Sequence, residues 1–545
     1  MTEARHSIGV DVGTGSARAG VFDMRGRQLA TASAEIGIHR APGGIVEQSS
    51  ADIWAACCKA VREAVSAAGV APETVAGLGF DATCSLVVLG QGGRPLPVGD
   101  PDASERDVIV WMDHRATEQA ARINAGGYAV LDYVGGRISP EMQTPKLLWL
   151  RENRSPTFDA AWQFFDLTDF LGWRATGATE RSSCTVTCKW TYLAHEDRWD
   201  PDYFHAIGLG VLADEDFARI GVHVVRPGTA LGHGLTEAAA AELGLSPGIA
   251  VGAGLIDAHA GGVGTVGPAE GPEANLAYVF GTSSCTMTST SEPVFVPGVW
   301  GPYFEAMVPG LWLNEGGQSA AGAAIAHLIR HHPHAPAAEG EARAAGLSLP
   351  AWLAAEAERR CASLSAAAEL AAGVHVVPEF LGNRAPFADP ETRAVVSGLG
   401  MDDGLDSLLA LYIAGICGIG YGLRQIIEAQ AKKGIRVSRV VLSGGAGRHP
   451  LVRQLLADSA DIEIAVPAAE EPVLLGSAIL GGVAGGAFAT IPDAMSAMTV
   501  FAEHLTPDPA QAAHHDQRFE LFSRFQSVAR DAAHVSVPHE DYASA

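Results

Sequence analysis

The chain has 545 residues, more than one hydrophobic core holds, so at least two large domains are expected. Hydrophobic residues make up 48% and charged residues 18%, which suits a folded enzyme and excludes a disordered chain. The net charge of −25 is spread along the sequence, which argues against a nucleic-acid partner; any phosphate ligand must be held by local chemistry.

The first elements are carried by "IGVDVGTGSARAGVFD", residues 8 to 23: two apolar runs, an acid at Asp11, a glycine turn with hydroxyls, and Arg18. This reads as a strand–turn–strand hairpin. The amphipathic run "ADIWAACCKAVREAVSAAG" and the apolar "VAGLGFDAT" follow, and their alternating periods predict an α/β domain. The N-terminus enters a strand by Ile8, so no signal peptide is expected and the cytoplasm is the default location. Residues 100 to 240 are loop-rich. They carry tryptophans at 111, 149, 162, 173, 190 and 199, which serve equally as a pocket wall or as core.

Near residue 250 the pattern restarts. "GIAVGAGLIDAHAGGVG" gives a strand, an acid and a Gly-rich helix start, and "ANLAYVFGTSSCTMTST" repeats the opening hairpin, which predicts a duplicated domain. The Ala-rich stretch 335 to 372 reads as a helical insertion, and "HHPH" at 331 to 334 as a loop. "VSRVVLSGGAGRHPLVRQLLADSADIEIAVP" predicts strand, glycine turn, helix and strand. Val473 to Ile491 carries no charge; it is long enough for a bilayer but Gly/Ala-rich and without basic flanks, so a buried helix is expected. From about 505 the chain is polar and reads as an appended helix or tail. The eight cysteines include no C-x-x-C and are expected to be free thiols.

The two turns, Gly13-Thr14-Gly15-Ser16 and Gly281-Thr282-Ser283-Ser284, stand at the head of each half. Backbone N–H groups in such concavities bind oxyanions even in an acidic protein, and glycine lets the backbone approach. Thr14, Ser16, Thr282 and Ser283 would add hydroxyl donors, Arg18 a bidentate fork, and Asp11 would hold Mg²⁺ beside the phosphates. A third turn, Gly444-Gly445-Ala446-Gly447, runs into a helix headed by Arg448, a place for a nucleotide's ribose and base. Ordinary tight turns answer the same patterns, and no Walker A motif occurs.

These segments, with "VIVWMDHRA", "MQTPKLLWLREN", "FDLTDFLGWRATG", "EGGQSAAGA" and "EPVLLGSAILGGVAGG", occur in an order that resembles the FGGY family of carbohydrate kinases over roughly residues 6 to 490. The resemblance implies two actin-like (ribonuclease H-like) α/β domains with a nucleotide and sugar cleft between them. It divides the chain into 1–266, 267–500 and a tail at 501–545. It also implies ATP and Mg²⁺ as cofactors and places Gly322 in the nucleotide set. The "EMQ-x-PKLLWL" form is similar to the D-ribulose kinase branch. Glu141 and Gln143 depart from the usual family types, as does Cys417, where many relatives carry Glu.

Phosphorylating a hydroxyl needs positioning, charge neutralisation and a proton acceptor. The resemblance puts the catalytic base at Asp257; before a helix, the same residue type also serves as an N-cap. Asp81, Cys84, Trp111 and Asp113 are candidate sugar contacts, because carboxylates suit paired hydroxyls and an aromatic wall suits the C–H face. Similarity to ribulose kinases adds Lys189, Glu315 and Gln318. Each of these also reads as a structural hydrogen-bonder, and His259 as a packed histidine. The expected function is ATP-dependent phosphorylation of a pentulose at its terminal hydroxyl, D-ribulose first, with ribitol, L-ribulose and D-xylulose as alternatives. An actin-like or chaperone ATPase is the rival from another class. A small sugar is the expected partner, in a homodimer, with no nucleic acid and no membrane.

Overall fold

The structure, a computed structural model, describes residues 5–534 apart from 269 and 372. The first four residues of the N-terminal unit, the last of the Ala-rich stretch and residues 535–545 of the expected tail lie outside the described residues.

The opening hairpin is β1 (His6–Val12) and β2 (Ser16–Asp23), extended by β3 (Gln28–Glu35). Helix α1 (Ser50–Ala68) starts at the Ser49 cap and ends at left-handed Gly69. It buries Ile53, Cys57, Ala60, Val61 and Ala64 against β2 and β3, the spacing of one helical face. Strand β4 (Val75–Ala82) pairs in parallel with β1, and β5 (Ala250–Ile256) in parallel with β4, giving the order β5-β4-β1-β2-β3. A separate sheet of short strands draws on both sides of β4 in sequence, including Ile45–Gln48, Leu86–Gly90 and Ala161–Asp166, and helix α2 (Ser183–Trp190) follows before β5. Trp190 and Trp199 are buried core there.

Helix α3 (Asp257–Val263) leads into the second half. Here β6 (Asn275–Phe280) and β7 (Ser284–Thr290) form the second hairpin; β8 (Trp300–Phe304) and β9 (Trp312–Gln318) extend it. Helix α4 (Gly322–Arg330) follows, then the long α5 (Leu405–Ala431). Helix α5 is long and apolar enough to cross a membrane, yet most of it is buried core. Strand β10 (Arg439–Ser443), helix α6 (Pro450–Ala460) and strand β11 (Glu463–Pro467) complete the repeat. In the order β9-β7-β6-β10-β11 the hairpin side is antiparallel and β6, β10 and β11 are parallel, the same arrangement as in the first half. The duplication read from two glycine turns is thus visible in strand order and direction.

The uncharged stretch forms a buried helix, α7 (Pro472–Ala484), shorter than the stretch itself. It packs on β1, β4 and β5, the sheet of the opposite half, and on α3. Glycine permits the approach: a Cβ at Gly9, Gly77 or Gly79 would collide with the α7 carbonyls of Leu474, Gly481 and Ser477. The segment expected as a tail begins instead with an edge strand of the second sheet, β12 (Phe501–Leu505), antiparallel to β11. Helix α8 (Ala512–Ala533) then lies on that domain, with Arg518 donating to Val374 O at 2.6 Å and Tyr421 Oη within 2.9 Å of His515 Nδ1. The Ala-rich stretch is helical, Ala335–Ala344 and Leu349–Arg360, and its apolar faces join the second core.

Candidate active site

A cleft of about 940 Å³ opens between the two halves. Asp11, Gly13, Arg18 and Asp257 line one wall; Gly444, Gly445, Arg448 and Glu471 line the other. The carboxylates owe their place to parallel pairing. Asp11 on β1 is in register with Asp81 on β4, and Leu255 on β5 pairs with Asp81, so Asp257 follows at the end of the next strand. Three acids therefore gather beyond the carboxyl ends of adjacent parallel strands, where open α/β sheets bind ligands.

Two of the three, Asp81 and Asp257, are raised by burial and by the nearby Asp11. Burial and Asp11 push Asp81 well above the ordinary carboxylate range; Ser477 of α7 donates to its Oδ2 at 2.5 Å, and its buried Oδ1 has no hydrogen-bond partner among the described residues. Asp81 thus sits under α7 beside Asp11, with one oxygen taken by Ser477. Burial, then Asp11, raises Asp257 to about 6, against the pull of the Ala258 N–H, His259 and Lys189. Asp257 is the first residue of α3 and accepts from Ala258 N at 2.7 Å; the N-cap position belongs to Ile256.

Arg18 does not present a free fork. Its guanidinium donates to Asp11 Oδ2, through Nε at 3.0 Å and through Nη2, and from Nη1 to Glu471 Oε2 at 2.7 Å. Thr14 is also committed: its Oγ1 accepts from Trp111 Nε1 at 3.0 Å and its carbonyl from Gln48 Nε2 at 2.8 Å. A residue expected at the phosphates and one expected at the sugar are therefore one unit. Ser16 starts β2, and its carbonyl closes the turn on Gly13 N at 3.0 Å. Gly281 N likewise bonds Ser283 O at 3.0 Å. Thr282 and Ser283 are exposed and stand off the cleft wall, while the Gly281 and Thr282 carbonyls accept the N–H groups of Ala321, Gly322 and Ala323 at the head of α4. Gly444 has φ +97°, and a Cβ there would lie 2.5 Å from Phe280 O, so the third turn closes on β6 only with glycine.

Beyond Asp257 lies a second group of charges. Burial opposes the charge of Lys189, but Cys84 and Glu315 outweigh it and hold the ammonium well above its ordinary value. Burial likewise opposes Glu315, and His259, Lys189 and Arg384 bring its carboxylate down to about 2. The Cys84 thiol, buried near Lys189, is pushed up to about 12. Two cations approach the Trp300 ring, Lys189 Nζ at 5.6 Å and Arg384 Cζ at 5.8 Å from its centre. Lys189, Glu315, Cys84 and Asp257 thus share one neighbourhood, as the sequence reading had it. Trp300 and Arg384 were missed; neither sits in a segment whose spacing marks it.

Two expected sugar contacts stand elsewhere. Asp113 is fully buried: Oδ1 accepts from Arg115 N and Nε, both at 2.9 Å, and Oδ2 from Val46 N at 2.6 Å and Arg115 Nη2 at 2.7 Å. Four donors fill its lone pairs and leave none for a hydroxyl. Gln318 accepts from Tyr278 Oη and Ser284 Oγ, both at 2.9 Å, and donates to Ile419 O at 2.9 Å. Its amide ties β9 to β6, β7 and α5.

Comparison with known proteins agrees with this architecture. The model of the FGGY family of carbohydrate kinases, N-terminal domain, matches residues 6–264, and that of the C-terminal domain matches 276–485. An FGGY carbohydrate kinase domain-containing protein of Homo sapiens is 44% identical over 548 residues, covering 98% of each chain. A D-ribulokinase of Saccharomyces cerevisiae is 38% identical over 520 residues, 89% of this chain and 73% of that protein. Among solved structures, a xylulose kinase from Rhodospirillum rubrum superimposes with a TM-score of 0.79 at 23% identity, over 97% of this chain and 100% of that one. With both domain models matched in order across two halves that meet at an acid-lined cleft, the chain belongs to the FGGY family of carbohydrate kinases and is an ATP-dependent sugar kinase.

Proposed function

We propose that this kinase transfers the γ-phosphoryl group of ATP to the terminal (C5) hydroxyl of a pentulose, D-ribulose first. The observation that carries the reading is the position of Asp257, between the cleft walls bearing Gly13 and Gly444 on one side and the Lys189–Glu315 group on the other. Its carboxylate takes the proton of the attacking hydroxyl, a role worth roughly 10²–10⁴ in rate. Lys189 and Glu315 offer a donor and an acceptor to the remaining hydroxyls, and Trp300 offers a face to the carbon skeleton. Gly13, Gly444, Gly445 and Arg448 line the place for the nucleotide.

Asp11 fits a divalent cation: it is a buried carboxylate beside a second one whose Oδ1 lacks a partner among the described residues, and a hard oxygen donor of this kind suits Mg²⁺. Bound there, Mg²⁺ would neutralise phosphate charge. Arg18 then has to share Asp11 with the metal.

The choice of D-ribulose rests on the 38% identity to the yeast D-ribulokinase. The test is ADP release with Mg²⁺·ATP across D-ribulose, ribitol, L-ribulose, D-xylulose and glycerol, compared by kcat/KM. The expected result is a preference of at least about tenfold for D-ribulose. Preference for another sugar would replace the substrate, and hydrolysis independent of any sugar would overturn the kinase reading in favour of an actin-like ATPase.

A further inference from the structure

His259 is two residues beyond Asp257 and 1% exposed. A packed histidine would be expected to meet apolar neighbours or a backbone carbonyl. Instead its two ring nitrogens meet two side chains from distant parts of the chain. Nδ1 is 3.2 Å from Cys184 Sγ, on α2, and Nε2 is 3.5 Å from Glu315 Oε2, on β9. Both ends of this relay are themselves held. Cys184 is fully buried and its Sγ also accepts the Ile256 N–H at 3.4 Å, the residue before Asp257. The other oxygen of Glu315, Oε1, is 3.6 Å from Cys285 Sγ.

We infer that His259 is a positioning residue for the sugar carboxylate: oriented at Nδ1 by Cys184, it uses Nε2 to fix one oxygen of Glu315 and leave the carboxylate turned to accept substrate hydroxyls. The inference rests on the reading of Glu315 as a sugar contact.

The charges around the ring agree with such a role. Burial opposes the imidazolium, yet Cys184 and Glu315 outweigh it and raise His259, while Cys188 and His259 draw the Cys184 thiol down against its burial. Lys189 and Arg384 also face Glu315, and Asp257 faces His259 from its own helix. A carboxylate buried with a fixed imidazolium keeps its charge and its orientation, and an unpaired one keeps neither. The relay also explains why a cysteine stands at position 184: the sulfur is an acceptor at the end of a chain that runs Cys184, His259, Glu315 and then substrate.

The two nitrogens are separable by substitution. Asparagine places an amide near Nδ1, and glutamine near Nε2. The steady-state constants of His259→Asn, His259→Gln, Glu315→Ala and the double variant His259→Asn/Glu315→Ala are measured on the alkaline plateau, where Asp257 is ionised. The expected result is a rise of about tenfold in the sugar KM of His259→Asn, with less than about threefold change in ATP KM, and a smaller rise, about threefold, for His259→Gln, which keeps the contact to Glu315 and loses the one to Cys184. The double variant should be no worse than Glu315→Ala, because residues acting through one another are not additive. Equal effects of Asn and Gln, an equal rise in ATP KM, or additive losses would overturn the inference. If Glu315→Ala leaves sugar KM unchanged, the reading of Glu315 falls and takes this inference with it; if Glu315→Ala raises sugar KM and His259→Asn does not, only this inference falls. Should His259→Asn fail to fold, Cys184→Ala and Cys184→Ser test the other end. Alanine should raise sugar KM and serine, which keeps an acceptor, should restore it; equal constants for the two would count against the relay.

Discussion

Arg18 of the first hairpin reaches Glu471, 453 residues away in sequence, with Nη1 2.7 Å from Oε2. The same guanidinium holds Asp11, so one cation ties the N-terminal sheet to the residue that precedes α7. Glu471 lines the same cleft wall as Gly444 and is about one-third exposed, so the tie itself contributes little to stability. With ATP bound as proposed, however, its negative charge opposes the phosphates. Glu471→Gln is expected to lower ATP KM by about two- to fivefold, with sugar KM unchanged. A rise in ATP KM, measured at saturating sugar, would mean that Glu471 helps to hold the nucleotide.

A base has to be ionised to accept a proton. With Asp257 raised to about 6, kcat/KM should rise with pH through about 6 and then level off. Asp257→Asn should remove that limb and reduce kcat by about 10²–10⁴. Its effect on stability has the opposite sense. A carboxyl whose folded value lies above the ordinary 3.8 favours the folded state less once pH exceeds 3.8, so the neutral amide should melt no earlier at pH 7. An unchanged acid limb in the variant would assign the limb to another group.

Asp113 separates the structural from the substrate reading in one substitution. Asp113→Ala leaves the buried Val46 N–H unpaired and takes one of two carboxylates from Arg115, which keeps Glu47 and the Val98 carbonyl, and should cost about 1–3 kcal/mol of stability. Thermal melting should register the loss, while the folded fraction keeps its sugar KM. An altered sugar KM with an unchanged melting temperature would restore Asp113 to the sugar site.

Gly444→Ala places a Cβ 2.5 Å from Phe280 O in a backbone with φ +97°. The turn has to move, so ATP KM should rise by about tenfold with a melting temperature lowered by a few degrees. Sugar KM should stay within about threefold, since the turn stands on the wall proposed for the nucleotide. Normal ATP kinetics would mean that this turn contributes only to folding.

Local pattern made much of this legible. Each hairpin is one contiguous run whose glycine turn and flanking apolar residues lie within twenty positions, so β1–β2 and β6–β7 could be read, and the duplication from them. The strand, glycine turn and helix around Gly444 are legible in the same way. What could not be read depends on partners far along the chain. Strand β12 is five residues with Glu503 and His504 inside it, and only pairing with β11 makes it a strand. Asp113 and Asp81 are the residue types that bind sugars; Arg115, two residues on, is one visible claimant of Asp113, but nothing near them announces Val46 N or Ser477. His259 lies 75 positions from Cys184, and no spacing rule joins them.

The docking of α7 also bears on the order in which the molecule can be made. The sheet that begins at His6 presents Gly9, Gly77 and Gly79 to a helix that is synthesised almost last, so the nascent N-terminal half has a bare trough along one face while the rest of the chain emerges. A fragment ending near residue 266 would keep its strands and lose their cover. Completion of the first domain thus waits for the second, and a truncation before Pro472 removes a wall from both.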